Sequence, residues 1–472
     1  MQFLQKPVYI LQQRNTYFFF SALVVLVSLL LWAMNRNVES GDHYTYLFYL
    51  KGFEAGRYSY WYFLEDYIPD TFRNPGYPLF LYLLSFISPS VHFIQFVQWV
   101  LLMGAVIIML KIIELYQQGY LIKNLFLIFV LLNFVTLSYS AYVFPENLVL
   151  FVITLIVFVE IKWESGWKKT ILLAFLYGFC FQVRPVILFI PFIRFAYYLY
   201  FRSKEKPLFN IAFIVLFAAT LLPYAFWNKK HHDQFKITPL EGGGGVMYLG
   251  YWSPKMLNVV EDRYWRNVMY EDALFNFVDM KDVPHHVKLF NNEWDSIERI
   301  CSKYMTAKDT AILLEMKKHP HLFVTYNTTY TLEREKLLKE LAVRHYLSDL
   351  KYTVSLKTYT FFRLWYTGLT AKQFMSERMS VFIPQLLAFL TTFTTLLLFI
   401  GYFLYALFRR RDLLLNMMIP LFWCAYFAAI HVPFAIQSRY TIPVRFLYLF
   451  VLAYLMYHVH SKKEQQPTAI QH

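Results

Sequence analysis

Phe18 to Met34 reads FFFSALVVLVSLLLWAM, a run without a single charge. Its length comes close to the roughly 20 apolar residues that cross a hydrocarbon core about 30 Å thick. Comparable runs recur around residues 92–110, 125–143, 147–159, 208–227, 380–408, 413–430 and 441–457. The 472-residue chain is 58% hydrophobic and 21% aromatic, with only 16% charged residues. Soluble domains carry about a quarter. Such a chain cannot cover its apolar surface with its own polar groups, whereas lipid solvates it and leaves only the backbone to be paired internally. The expected class is therefore an all-α polytopic membrane protein. After Met34 comes Asn35-Arg36-Asn37-Val38-Glu39, with no small-x-small cleavage pattern, so the first run reads as a retained anchor.

The net charge of +14 sits largely in short loops between the apolar runs. These are Lys6 and Arg14; Lys111 and Lys123; Lys162, Lys168 and Lys169; Arg202, Lys204 and Lys206; Arg409-Arg410-Arg411; and Lys462-Lys463. With both termini cytoplasmic and about ten long crossings, every cluster falls on the inner face, as the positive-inside rule requires. The charge thus sets topology. No polar domain interleaves basic and stacking aromatic residues, which argues against nucleic-acid binding. Cys180, Cys301 and Cys424 show neither metal nor redox spacing.

This map leaves three polar or aromatic segments outside: 35–91, 228–378 and about 431–440. The division that follows is an N-terminal transmembrane module over 1–227, an extracytoplasmic, mainly helical domain over 228–378, and C-terminal transmembrane helices over 379–472. In the first segment Tyr44–Phe53 suggests an interfacial helix. In the second, Lys308–Lys318 and Leu332–Leu347 carry apolar residues at helical spacing, and Tyr352–Tyr366 is expected to meet the membrane surface. Residues 170–183 and 186–200 are short for spans and read as a tilted or re-entrant pair. No internal repeat of the transporter kind is visible.

Charged residues on the outer side need individual reasons. Asp42, just past the first span, suits a general base whose proton affinity is raised by desolvation, or equally a helix N-cap. Glu146, after Pro145, suits an ionisable group at a membrane boundary or the first turn of a helix. Arg73, Arg184 and Arg439 run against the topology rule. Each alone could snorkel to headgroups, but as a set they suit phosphate recognition. Gly242 to Gly245 lacks the strand-to-helix setting of a nucleotide loop and reads as a mobile loop or a backbone approached by ligand. His231-His232 and His285-His286, adjacent in sequence and so on different helix faces, read as surface residues. Asn327-Thr328-Thr329 fits a glycosylation acceptor.

Taken in order, the motifs resemble the GT-C polytopic glycosyltransferases, in the branch of the dolichyl-phosphate-mannose–protein mannosyltransferases and the bacterial lipid A aminoarabinose transferase. Asp42 and Lys51-Gly52-Phe53-Glu54-Ala55-Gly56-Arg57-Tyr58 follow the first span. Arg73-Asn74-Pro75-Gly76-Tyr77-Pro78-Leu79-Phe80 is close to the family's first-loop motif. Pro145-Glu146-Asn147-Leu148, Gly178 to Pro185, Gly244 to Gly250, Arg363-Leu364-Trp365 and Arg439-Tyr440-Thr441-Ile442-Pro443 resemble its later segments. There are departures. His43 stands where a second acid is usual, leaving Glu39 as the nearest, and Asp349-Leu350 replaces Asn-Pro or His-Pro.

The resemblance implies a GT-C-like fold of about 10–13 transmembrane helices, with the outer domain inserted before the last three long spans. It implies transfer of a sugar, with inversion, from a polyprenyl-phosphate donor to a hydroxyl of a lipid, glycan or protein acceptor. The setting would be the extracytoplasmic face of a membrane, the bacterial inner membrane first. Asp42 would be the base and Glu146 its helper. Arg73, then Arg184 and Arg439, would hold the donor phosphate, with Glu39, His43, Tyr77 and Tyr440 contacting substrate. No metal ligand is assigned, although a divalent metal stays open as a cofactor. The rival readings are a transporter or flippase of a lipid-linked or anionic solute, and a glycan polymerase or ligase.

Overall fold

A computed structural model describes residues 10–37, 41–116, 119–201, 206–256, 279–316, 327–368, 379–434 and 437–460. Every regular element among them is helical. The N-terminal part contains α1 (Arg14–Asn35), α2 (Gly41–Glu54), α3 (Gly76–Ser85), α4 (Val91–Leu115), α5 (Tyr120–Leu132), α6 (Phe134–Ser138), α7 (Glu146–Lys162), α8 (Trp167–Val183), α9 (Ile190–Phe201) and α10 (Pro207–His232). Next come α11 (Gly244–Met256), α12 (Val283–Ser302), α13 (Ala307–Met316), α14 (Thr328–Ser348) and α15 (Leu350–Arg363). The chain ends with α16 (Met379–Arg409), α17 (Arg411–Asn416), α18 (Met418–His431), a 3-10 segment at Ser438–Val444 and α19 (Arg445–His460).

Five helical stretches are long and apolar enough to cross a membrane: α1, α4, α10, Phe382–Arg409 of α16, and Ser438–His460. A sixth crossing results if the bent pair Tyr120–Leu132 and Phe134–Ala141 is one span. α7 and α8 have 17 residues each, and Gly76–Ser85, Pro185–Tyr198 and Met418–His431 are shorter apolar helices. The outer faces of the long helices expose Leu26, Leu30, Ile211, Val215, Leu390 and Leu397. Apolar length together with apolar exposure is the mark of an integral membrane protein.

The apolar run at 125–143, expected to be one span, bends by 70°. The break falls at Asn133, whose amide donates to the Phe129 carbonyl and whose oxygen accepts from Arg445. A side chain folded back onto the preceding turn competes with the backbone ladder, which is one cause of a sharp bend. The run at 413–430 breaks likewise at Met417, between α17 and α18.

Two apolar cores result. The larger joins α1 to α10 with Leu364–Tyr366 and α16 to α19. α19 is its axis: residues 446–455 are all buried. The smaller gathers Tyr248, Trp252, Phe290, Trp294, Ile297, Leu338, Ala342 and Leu356 from α11, α12, α14 and α15. Helix α3 can start hard against the end of α8 because residue 76 is glycine. A β-carbon there would overlap the Gln182 backbone. That approach brings the Arg73 loop beside Arg184.

Candidate functional site

Five side chains from distant parts of the sequence form an alternating chain of charge. Arg73 Nη2 donates to Asp42 Oδ1 at 3.1 Å, and Arg439 Nη2 donates to Asp42 Oδ2 at 2.6 Å. Arg439 Nε lies 4.0 Å from Glu146 Oε1, which accepts from Arg184 Nη2 at 2.9 Å. Asp42 is in the first turn of α2, and Glu146 opens α7 directly after Pro145. Both carboxylates thus sit at helix N-termini, where the dipole favours negative charge. Three guanidiniums against two carboxylates leave one positive charge over.

Aromatic faces back the guanidiniums. Arg73 lies over Phe72 and Tyr46, Arg439 over Phe144 and Tyr440, and Arg184 over Tyr440. The Tyr440 ring stacks on His431 at 5.0 Å. Glu146 is fully buried, whereas the side chains of Arg73, Asp42, Arg439 and Arg184 keep 27%, 22%, 20% and 17% exposure, so the groups around Glu146 stay accessible. Arg73 Nε, Arg439 Nε, Glu146 Oε2 and both amide atoms of Asn147 are buried without a hydrogen-bond partner among the described residues. Native structures rarely leave buried polar atoms unpaired, and such atoms mark a place for water or ligand.

Desolvation alone does not set Asp42. Burial raises its carboxyl, but the Arg439 and Arg73 guanidiniums outweigh burial and bring it down to about 2. This reverses the argument from desolvation: in the unliganded protein Asp42 is a weak base.

The other predicted residues separate. Glu39 lies outside the described residues. His43 is buried, with Nδ1 accepting the Val143 backbone N–H at 3.2 Å, so it braces the turn that leads to Phe144 and Glu146. Tyr77 is buried in the core, edge-on to Tyr46, with its hydroxyl on Gln98. Tyr440 lies beneath two of the guanidiniums. Among the described residues no group of three or more His, Cys, Asp or Glu is placed to hold a metal ion.

Behind Arg73 is a residue that sequence reading passed over. Asp70 is buried and takes the Tyr49 hydroxyl on one oxygen. On the other it takes the backbone N–H groups of Phe72 and Arg73, at 3.1 and 2.9 Å. Burial pushes its carboxyl up to about 7. The signal was present as the spacing Asp70-Thr71-Phe72-Arg73, in which an aspartate caps its own turn.

The turn is also held by elements of the second core. His232, expected on the surface, is buried and bridges the Asp70 carbonyl at 2.8 Å and the Thr328 hydroxyl at 2.7 Å. Glu241 accepts from the Thr71 hydroxyl and from Arg334. The glycine run is anchored rather than loose. Gly244 and Gly245 donate to Glu335 Oε2, and a β-carbon on Gly244 would overlap the Glu335 backbone. Asn327, the glycosylation-pattern residue, caps α14, and its amide nitrogen donates to the Tyr304 carbonyl and Asp309.

No family model, curated protein or solved structure matches this chain.

Proposed function

We propose that the protein is a multi-pass membrane glycosyltransferase of GT-C type. It would move a sugar from a polyprenyl phosphate to an acceptor hydroxyl on the extracytoplasmic face, with its basic loops and both termini in the cytoplasm. The bacterial inner membrane is the membrane that fits this reading. The observation that carries the proposal is the ion chain Arg73–Asp42–Arg439–Glu146–Arg184, with its excess positive charge and with Arg73 Nε and Arg439 Nε lacking a hydrogen-bond partner among the described residues.

A phosphodiester-linked donor is a monoanion and matches that excess. When its oxygens engage Arg73 and Arg439, the guanidiniums turn part of their field from Asp42 to phosphate. The proton affinity of Asp42 then rises, because what held it down has been shared. The carboxylate accepts the proton of the acceptor hydroxyl as that oxygen attacks the anomeric carbon. The bond from that carbon to the phosphate oxygen breaks, and polyprenyl phosphate leaves with one more negative charge. Fixed guanidiniums stabilise that developing charge. Glu146 keeps Arg184 and Arg439 in place. Coupling the base to donor binding delays its activation until the leaving group is seated.

The test is purified protein with a panel of polyprenyl-phosphate sugars, reading release of free polyprenyl phosphate. Asp42→Asn should fold and bind donor without turning it over. A transporter would retain flux in that variant, and flux without sugar transfer would overturn the proposal.

A further inference from the structure

The second core leaves an apolar stripe uncovered. Val343 and Leu347 lie four residues apart near the end of α14, and Leu350, Val354 and Phe361 recur at intervals of four and seven along α15; all are exposed. Leu347, Leu350 and Val354 keep 66%, 59% and 64% of their surface. Arg344 and Lys351 are exposed beside the stripe. The opposite side of α15 buries Leu356 and Thr360 against the second core and the neighbouring turn. A water-facing helix normally has this pattern the other way round, and a contiguous exposed apolar patch marks a contact surface.

Three contacts fix the level at which this surface lies. α16 has 31 residues and ends at the basic cluster Arg409-Arg410-Arg411. Counting back the roughly 20 residues that a hydrocarbon core requires reaches the neighbourhood of Leu390. At that height the Tyr366 ring meets Phe389 and Phe393, and the Thr367 N–H donates to Thr392. From the same basic cluster α17 and, past the break at Met417, the 14-residue α18 lead to Pro433. The Pro433 carbonyl accepts from Lys357 of α15 at 3.2 Å and from Tyr346 of α14 at 3.4 Å. The end of α14, the middle of α15 and the residues following α15 therefore all touch the boundary opposite the basic cluster. A helix held at one height at several points runs along that boundary.

We infer that the Val343–Leu347–Leu350–Val354–Phe361 stripe is a lipid-binding face, seated at the headgroup–acyl boundary of the leaflet opposite Arg409–Arg411. Arg344 and Lys351 then reach anionic headgroups while the stripe displaces water from acyl chains, the arrangement of an interfacial amphipathic helix. The face stands independently of the glycosyltransferase reading.

The test is site-directed fluorescence on the full chain, reconstituted in phosphatidylethanolamine vesicles with a phosphatidylglycerol minority. An environment-sensitive dye is attached at Val354→Cys, at Leu350→Cys and, as a control on α12, at Arg299→Cys. Cys180, Cys301 and Cys424 are buried, and labelled wild-type chain gives the blank. Lipids with a nitroxide near the headgroup should quench the dye at 350 and 354 several-fold more than at 299, and aqueous iodide should do the reverse. Iodide quenching at 350 and 354 equal to that at 299 would overturn the inference. So would cysteine cross-linking of 354 between two copies, which would assign the stripe to a dimer instead.

Discussion

Asp70 holds Arg73 from behind. One carboxylate oxygen accepts the Arg73 N–H at 2.9 Å, and the Arg73 carbonyl accepts the Tyr224 hydroxyl at 3.0 Å. With its backbone N–H and C=O both held, Arg73 has only its side chain left to move, and that side chain meets Asp42. Losing the Asp70 acceptor leaves buried N–H groups unpaired, at a cost of about 1–3 kcal/mol. Asp70→Ala is therefore expected to weaken binding of polyprenyl phosphate about tenfold or more. Asp70→Asn, whose amide oxygen still accepts both N–H groups, is expected to stay near wild type. Titration of the detergent-solubilised variants with the lipid phosphate checks both.

Asp70 also makes stability depend on pH, in a direction opposite to that of Asp42. Its folded value of about 7 stands above the ordinary 3.8, so its contribution is complete in acid and is lost as pH rises through about 7. Asp42, lowered from 3.8 to about 2, contributes above 3.8 and loses that contribution as pH falls towards 2. The difference in melting temperature between Asp70→Asn and wild type is expected to grow in favour of the variant from about pH 4 to about pH 8. Thermal unfolding across a pH series measures it. A flat difference would mean that the Asp70 carboxyl is not held above its ordinary range.

Asp42→Asn removes a base and, at the same time, a competitor for two guanidiniums. Turnover is expected to fall by about 10²–10⁴, the usual contribution of a general base. Donor binding is expected to tighten, because Arg73 and Arg439 no longer share their charge with a carboxylate. Single-turnover release of polyprenyl phosphate, paired with equilibrium binding, separates the two effects.

Glu160 on α7 is tied to Arg194 through two nitrogens, to the Tyr198 hydroxyl and to Lys169. All of these groups are largely buried. Breaking a buried pair from one side typically costs about 3–5 kcal/mol. Arg194→Ala is expected to lower stability by that order, while the folded fraction keeps its donor affinity. Chemical unfolding combined with binding per folded molecule tests this.

Gly244→Ala should unseat α11 from α14, since the added carbon meets the Glu335 main chain. Overpacking of this kind costs about 1–3 kcal/mol. Limited proteolysis should show earlier cleavage around Met247, with Gly243→Ala, which has open space around its β-position, as the unaffected control.

Helical class and membrane residence were legible in the sequence because both follow from apolar length. Asp42, Glu146 and the three arginines were legible as charges placed where charge is costly, and the structure brings all five together. The length and continuity of the spans were less so. Asn133 and Met417 interrupt apolar runs through local backbone bonding that hydropathy does not register. The basicity of Asp42 was misjudged because it depends on Arg439, which is far along the chain. His232 looked like surface because its partners, the Asp70 carbonyl and Thr328, are equally remote. Asp70 carried its own signal in a four-residue turn, though one acid among several in the first outer segment draws no notice until Arg73 is known to matter.

Helix α7 has a glutamate near each end, Glu146 and Glu160, about four turns apart. At the Glu160 end three neighbouring groups, Arg194, Tyr198 and Lys169, take up the charge, whereas Glu146 Oε2 has no hydrogen-bond partner among the described residues. Damage at the two ends should thus announce itself differently in a living cell. Lesions around Glu160 deplete the protein from the membrane, whereas lesions around Glu146 are expected to remove product beyond any loss of protein. Measuring abundance beside product would reveal which end of α7 a variant has struck.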